Sequence, residues 1–143
     1  MPVVTQISVD LENVPGNLSA VSILLGKEGI NIGAIMVAES SETSMIRFIC
    51  DDPEKAYLVL KDAGYVVKKR EVIAVETPDH PGGLSAMLKP LATAGINVHY
   101  LYPFLRRIGD NAILILRVDD SARAAEVLKN EWITVLDEKI YSI

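Results

Sequence analysis

The sequence predicts an α+β fold in which one unit of strands and helices, about 66 residues long, occurs twice. Pro-Gly, one further residue and Leu-Ser-Ala occupy residues 15–20 and return at residues 81–86. Gly-Ile-Asn follows each phrase, at residues 29–31 and 95–97. The interval between the copies is constant (82 − 16 = 66 and 97 − 31 = 66). Two phrases kept at one fixed offset indicate a duplicated unit.

The composition favours a folded protein with no general affinity for polyanions. Half of the 143 residues are hydrophobic, and no low-complexity tract occurs. A unit of about 66 residues has a core that is only marginally stable by itself, so each half is expected to be stabilised by contacts with the other half or with a partner chain. The net charge of −5 disfavours binding to nucleic acid and to anionic membranes.

The single cysteine and the short apolar runs limit the kinds of site and the cellular compartments that are expected. Cys50 is the only cysteine, which excludes an internal disulfide and a thiolate metal cluster. No apolar run reaches the length of a membrane span, and Met1-Pro2-Val3-Val4 lacks the pattern of a signal peptide. We therefore expect a cytoplasmic protein.

The first unit opens with a strand and a helix. Apolar and polar residues alternate from Thr5 to Glu12, which is the pattern of a half-buried strand. Pro15-Gly16 ends this strand, and a helix is predicted to start at Asn17 or a neighbouring residue and to stop at the glycine at position 29. The apolar face of this helix carries Leu18, Val21, Leu24 and Leu25.

Two strands, a helix and a fourth strand complete the first unit. The apolar run Ile32–Ala38 predicts a central strand, and a polar turn at residues 40–43 leads to an antiparallel strand at Met45–Cys50. Asp52-Pro53 predicts a helix start, and Tyr65–Lys69 predicts the last strand. The order βαββαβ is that of a ferredoxin-like sandwich, with an antiparallel sheet and helices packed on one face.

The second unit repeats this order from residue 70 onwards. Residues 68–71 contain no turn-forming residue, so the units are expected to join through nearly continuous extended chain. The predicted domains are therefore residues 1–69 and 70–143. A strand at Val72–Val75 precedes a helix that Pro90 should bend, because proline removes one hydrogen bond. The apolar face of this helix carries Leu84, Met87, Leu88 and Leu91.

The hairpin of the second unit is longer than that of the first. Val98–Phe104 and Ala112–Val118 are predicted to be its strands, with a turn at Arg106–Asp110. Asp51 matches Asp119 at an offset of 119 − 51 = 68, which is two more than upstream. The two extra residues are therefore placed in the Arg106–Asp110 turn.

The C-terminal part of the second unit contains a helix and one or two strands. Asp120 or Ser121 is predicted to cap the helix. Ile133–Leu136 is predicted as the last full strand, and Lys139–Ile143 as a short edge strand.

With these elements in place, the two strand-to-helix phrases resemble those of the ACT domain family. The first copy reads Glu12-Asn13-Val14-Pro15-Gly16-Asn17-Leu18 and is closed by residues 29–32. The second copy reads Asp79-His80-Pro81-Gly82-Gly83-Leu84 and is closed by residues 95–98. The resemblance covers the chain twice, nearly end to end, and implies an amino-acid-binding regulatory module of ferredoxin-like order. Most ACT modules are attached to an enzyme that they regulate, whereas no catalytic domain is expected here.

The chemistry of these phrases suits a ligand that carries a carboxylate and an ammonium group. Glycine lets the backbone approach a ligand closely, and the N-terminus of a helix attracts a carboxylate. The amides of Asn13 and Asn31 can hold either group, and Asp79, in the place of Asn13, offers a carboxylate to an ammonium.

The resemblance to the serine-regulated type of ACT domain implies a set of ligand contacts. It also implies a pocket between two paired ACT units. The implied contacts are Asn13, Gly16, Asn17 (through its backbone) and Asn31, with second copies at Asp79, Gly82, Gly83 and Asn97.

Two simpler interpretations stand beside this one. Pro-Gly and Gly-Ile-Asn can serve only as tight turns and caps, so one or both units can lack a ligand. Tyr100, Tyr102 and Phe104 alternate and share a sheet face, where they can wall a pocket or stack on bases. Packing at a dimer or inter-unit interface is the favoured interpretation of this row.

No catalytic or metal-binding set is predicted. His80 and His99 lack the spacing of metal ligands. Ser19 and Ser85 lack a paired histidine, so nucleophilic catalysis has no support. We expect neither a metal nor a cofactor, and we expect that the chain is not an enzyme.

The predicted function is allosteric regulation through a bound small molecule, most simply an amino acid. The alternative is a ligand-independent regulatory or structural subunit of a partner enzyme of amino-acid metabolism. A homodimer is expected, because ACT units pair and exposed sheet edges need cover. Nucleic acid and membranes are not expected partners.

Overall fold

A computed structural model describes residues 3–40 and 42–143 of the chain. Met1, Pro2 and Ser41, the last of which belongs to the expected polar turn, lie outside the described residues. The chain divides into two compact units. The N-terminal unit comprises Thr5–Arg70, and the C-terminal unit comprises residues 3–4 together with Glu71–Ile143. The boundary between them falls within one continuous strand, as expected from the absence of a turn-forming residue there.

The N-terminal unit has the predicted strand–helix order and an antiparallel sheet. Its strands lie in the order β4-β1-β3-β2, and β1 and β2 both pair antiparallel with β3. This order is that of a ferredoxin-like sandwich. Its elements are β1 (Val4–Glu12), α1 (Asn17–Lys27), β2 (Ile32–Glu39), β3 (Thr43–Cys50), α2 (Pro53–Asp62) and the first part of β4 (Val66–Pro78).

The core of the N-terminal unit lies between the sheet and its two helices. Val9 and Phe48 contribute to it from the strands, and Leu25 and Leu60 from the helices; each is at most 1% exposed. Leu18 was expected on the buried face of α1 but is 45% exposed. It lies in the first turn of α1, at the edge of the core.

The prediction of a central strand at Ile32–Ala38 was wrong, because β2 is an edge strand. Among the described residues, β2 pairs only with β3. Ile35 and Val37 are 37% and 45% exposed. An uninterrupted apolar run is typical of a strand buried on both faces, but in this unit part of the run is exposed to solvent. An apolar edge strand is a surface onto which another chain can add.

The C-terminal unit repeats the architecture. Its strands lie in the order β7-β4-β6-β5, and buried apolar residues of its strands and helices again form the core. The predicted helix runs through Pro90 to Thr93, and Asp120 caps the second helix by accepting a hydrogen bond from the Arg123 N–H at 3.0 Å. The further elements are α3 (Gly83–Thr93), β5 (Val98–Pro103), β6 (Asn111–Val118), α4 (Ser121–Asn130), β7 (Val135–Leu136) and a 3-10 helix (Glu138–Ser142).

Two C-terminal predictions were wrong. The strand expected at Ile133–Leu136 is only two residues long, and the segment expected as an edge strand is the 3-10 helix. Asp137 starts this helix by accepting a hydrogen bond from the Lys139 N–H at 3.0 Å, and Ile140 anchors it with 1% exposure. A local cap and one buried side chain therefore outweigh the weak strand propensity of this segment.

The duplication extends to details of helix capping. The Asp52 carboxylate caps α2 at the position where Asp120 caps α4. The Lys55 ammonium donates to the Glu28 carbonyl at the end of α1, and the Arg123 guanidinium donates to the Ala94 carbonyl at the end of α3. A cation at the C-terminus of a helix is stabilised by the helix dipole. The two units therefore share their packing scheme down to single side-chain contacts.

Candidate ligand-binding cleft

A small cleft lies in the N-terminal unit where β1 ends and α1 begins. Its volume is about 120 Å³. Apolar side chains from β1, α1, β2 and β3 form most of its wall, and four polar residues lie at its rim. The lining residues are Leu11, Glu12, Asn13, Val14, Asn17, Leu18, Val37, Ser44 and Ile46.

The N-terminus of α1 opens beside this cleft without a side-chain cap. Gly16 is the N-cap residue, with a φ of 90° that favours glycine over any other residue. The first intrahelical hydrogen bond of the helix runs from the Ala20 N–H to the Gly16 carbonyl, at 2.9 Å. The amides of Leu18 and Ser19 precede it, so the helix offers them no acceptor. Such amides, with the positive end of the helix dipole, form a site suited to an anion.

Two asparagines fix the rim of the cleft. The Asn17 side-chain amide donates to the Glu12 carbonyl at 2.9 Å, and so ties the first turn of α1 to the end of β1. The Asn13 side-chain amide donates to Glu39 Oε2 at 3.2 Å. Glu39 was absent from the predicted site, and no local signal marks it, because its partner is 26 residues away in sequence.

Asn31 does not join this group within its own unit. It precedes β2, whereas Glu39 ends that strand. They are eight positions apart along the strand, or about 26 Å. The backbone N–H of Asn31 donates to the Asp51 carboxylate at 3.0 Å, and its carbonyl accepts from the Asp51 N–H at 3.1 Å. Asn31 therefore has a structural role at the opposite end of the sheet from Asn13.

In the C-terminal unit, the Asp79 carboxylate is paired within the chain. It lies 2.7 Å from Nη2 of Arg107, which also donates to the Asp110 carbonyl at 2.7 Å. Arg107 belongs to the turn that was predicted to carry the two extra residues. The sequence suggested that Asp79 would attract a ligand ammonium, but in the structure a guanidinium of the same chain occupies it.

The start of α3 is packed more closely than the start of α1. Gly82 is its N-cap residue, with a φ of 86°. Gly83 follows and is buried, and a Cβ added to it would lie 2.1 Å from the Pro78 carbonyl oxygen. Asn97 has the same structural role as Asn31, since its N–H donates to the Asp119 carboxylate at 3.2 Å.

The aromatic row of the C-terminal unit is largely buried. The rings of Tyr100 and Tyr102 stack with centroids 6.4 Å apart, and Tyr102 is 3% exposed. Phe104 is 7% exposed and lies 5.3 Å from the Arg106 guanidinium. Stacking on bases needs open ring faces, so this burial favours the packing interpretation.

No metal cluster or membrane span is seen in the described part of the chain. Over residues 3–40 and 42–143, His, Cys, Asp and Glu nowhere form a group of three or more that could hold a metal ion. None of the helices described there is both long and apolar enough to cross a membrane.

Cys50 is expected to be unreactive in the folded protein. The pKa of its thiol is raised to about 11, chiefly by burial; a backbone hydrogen bond at Asp52 lowers the pKa, and the nearby carboxylates of Asp51 and Asp52 raise it. At pH 8 iodoacetamide should modify the native chain about 100-fold more slowly than the urea-unfolded chain, because only the thiolate reacts. The unfolded thiol ionises first as the pH rises, so the free energy of unfolding should fall between about pH 9 and pH 11. Equal labelling rates in the two states would contradict the burial of this thiol.

Comparisons with known proteins agree with this architecture. The sequence profile of a family described as "ACT domain pair" matches residues 2–142. The crystal structure of protein BT0572 from Bacteroides thetaiotaomicron has a TM-score of 0.92 at 33% identity, covering 99% of this chain and 98% of that one. The ligand-free regulatory subunit of aspartate kinase from Thermus thermophilus has a TM-score of 0.66 at 15% identity, with 92% and 98% coverage. The regulatory subunit of aspartate kinase from Thermus flavus has a TM-score of 0.60 at 15% identity, covering 92% of this chain and 97% of that one. A search of curated protein sequences gave no match.

Proposed function

The chain belongs to the ACT domain family as a pair of ACT units, and from that premise we propose that it is a regulatory protein that binds an amino acid. The observation that carries this proposal is the cleft beside Asn13 and Asn17, at the open N-terminus of α1. Main-chain amides there can receive a carboxylate, and the polar rim can receive an ammonium group. Of the contacts that the family resemblance implies in this unit, Asn13, Gly16 and Asn17 lie where β1 ends and α1 begins, whereas Asn31 lies at the other end of β2.

In a homodimer, Asn31 of one copy would lie near the cleft of the other copy. Asn31 and Glu39 are each four residues from Ile35 along β2. If the β2 strands of two copies pair antiparallel with Ile35 opposite Ile35, Asn31 of one copy lies opposite Glu39 of the other. The exposed apolar residues of the β2 edge support such pairing, because a homodimer would remove them from water. The proposed ligand site is therefore shared between two copies.

Regulation would follow from this sharing. A ligand held by residues of two copies binds more tightly to the orientation that brings those residues together, and it shifts the population toward that orientation. A partner enzyme or regulator would respond to the shift. In this proposal the chain supplies the sensor, and the chemistry belongs to the partner.

A ligand-independent regulatory subunit of an enzyme is the second candidate. Trp132 favours it, because its side chain is 95% exposed and tryptophan is enriched among the residues that anchor protein interfaces. Trp132 also adopts a φ of 62°, whereas the equivalent position of the first unit is Gly64, with a φ of 92°. The cost of that conformation is not offset by packing within the described chain. The fold likeness to aspartate kinase regulatory subunits is compatible with this candidate.

Thermal denaturation with each of the twenty amino acids tests the proposal. A ligand present at 100 times its Kd should stabilise the wild-type chain by about 2.7 kcal/mol, a shift of several degrees. The Asn13→Ala variant should lose most of the shift, since Asn13 lines the cleft and is exposed, so the fold should survive. The Thr93→Ala variant, changed on α3, is the control and should show the full ligand-induced shift. If no amino acid shifts the wild-type midpoint, the sensor proposal fails, and a stoichiometric enzyme partner becomes the better account.

A further inference from the structure

The two copies of the strand-to-helix corner carry equivalent side-chain contacts that differ in charge. In the N-terminal unit, a neutral amide of Asn13 touches a carboxylate of Glu39. In the C-terminal unit, the carboxylate of Asp79 touches the guanidinium of Arg107. Both contacts join the loop after the first strand of a unit to the hairpin between its second and third strands. The duplicated position is therefore acidic and open in one unit, and occupied by a cation in the other.

We propose that the N-terminal unit alone binds the amino acid, that Glu39 receives its ammonium group, and that Arg107 occupies the equivalent place in the C-terminal unit. This inference rests on the proposed function and assigns its specificity to one unit and one carboxylate. It adds Glu39 and Arg107 to the residues that the sequence marked.

Glu39 has the free capacity that an ammonium group needs. A carboxylate offers about four acceptor sites, and the Asn13 amide uses one of them. Glu39 is exposed, and over the described residues no lysine or arginine forms an ion pair with it. An α-amino acid would then be held at both charged ends, by the amides of α1 and by this carboxylate.

The dimensions of the cleft restrict the side chain of the ligand. A volume of about 120 Å³ corresponds to roughly four water molecules of bulk liquid. Val14, Leu18 and Val37 form an apolar part of its lining. The ligand class is therefore an α-amino acid with a small side chain, of the size of glycine, alanine or serine.

The C-terminal unit is closed to such a ligand by its own chain. A free ammonium would have to displace Arg107, which is tethered beside Asp79 and so acts at a high effective concentration. The close approach of Gly83 to the Pro78 carbonyl also removes the space that Asn17 occupies in the first unit. The exposed ion pair need not be strong for this effect, because the competitor is part of the same loop system.

Backbone amide NMR spectra of the full chain, recorded with glycine, L-alanine and L-serine, test this inference. Acetate and propionate, which lack the ammonium group, serve as matched probes. We expect the amino acids to shift the amide signals of residues 13–19 and to leave those of residues 79–85 in place. Glu39→Gln should raise the Kd for the amino acids at least about tenfold and leave the weak response to acetate unchanged. Glu42→Gln, with the same charge change beside the cleft, is the control and should bind like wild type.

The Arg107→Ala variant tests the second half of the inference. Without the guanidinium, the signals of residues 79–85 should begin to respond to the amino acids. A wild-type response at residues 79–85, or an unchanged Kd in Glu39→Gln, overturns the inference and leaves the proposed function standing. A chain that responds to no amino acid in any variant overturns both.

Discussion

Replacing Gly83 with alanine is expected to lower the free energy of unfolding by about 3 kcal/mol. The new Cβ would lie 2.1 Å from the Pro78 carbonyl oxygen, and both groups belong to backbone that cannot rotate away. The first turn of α3 must therefore shift relative to β4, and with it the core contact of Met87, which is 1% exposed. Urea denaturation followed by circular dichroism measures the loss.

The first unit and the neighbouring glycine provide the controls for this variant. Gly82→Ala meets no atom within 4 Å but must adopt a φ of 86°, so it should cost only about 1 kcal/mol. Asn17→Ala, at the position equivalent to Gly83, removes one exposed side-chain hydrogen bond and should also cost about 1 kcal/mol. If Gly83→Ala were no worse than these two, the close packing of α3 on β4 would be refuted.

Replacing Val37 with aspartate is expected to raise the dissociation constant of the proposed homodimer by about 100-fold. Val37 is 45% exposed on the β2 edge and lines the cleft, so pairing of two β2 edges would bury the new carboxylate without a partner. Sedimentation equilibrium over a range of protein concentrations measures the change. The ligand response should fall with it, because the proposed site needs residues of two copies.

Leu58→Asp is the matched control for the dimer variant. Leu58 is 56% exposed on α2, so the same kind of change is made away from the β2 edge. This variant should remain dimeric. A wild-type chain that sediments as a monomer at every concentration would contradict the homodimer itself, and equal dissociation constants for the two variants would place the interface elsewhere.

The duplicated unit and its element order were determined by the sequence. The alternation in Thr5–Glu12, the Asp52-Pro53 helix start and the repeated Pro-Gly phrase are local signals, and the structure confirms the elements that they predict. Local periodicity records which face of an element is buried, and local caps record where it ends. These signals need no knowledge of the rest of the chain, so they could be interpreted before the fold was known.

The arrangement of the candidate site was decided only by the tertiary structure. The sequence grouped Asn31 with Asn13, but the length of β2 places them at opposite ends of one sheet. It gave no sign that Glu39 contacts Asn13, which is 26 residues away, or that Arg107 contacts Asp79, which is 28 residues away. Nor did it show that β2 lies at an edge, because strand order depends on which strands pair and not on the composition of one strand. Contacts between residues distant in sequence leave no local pattern, and the chemistry of this site consists of such contacts.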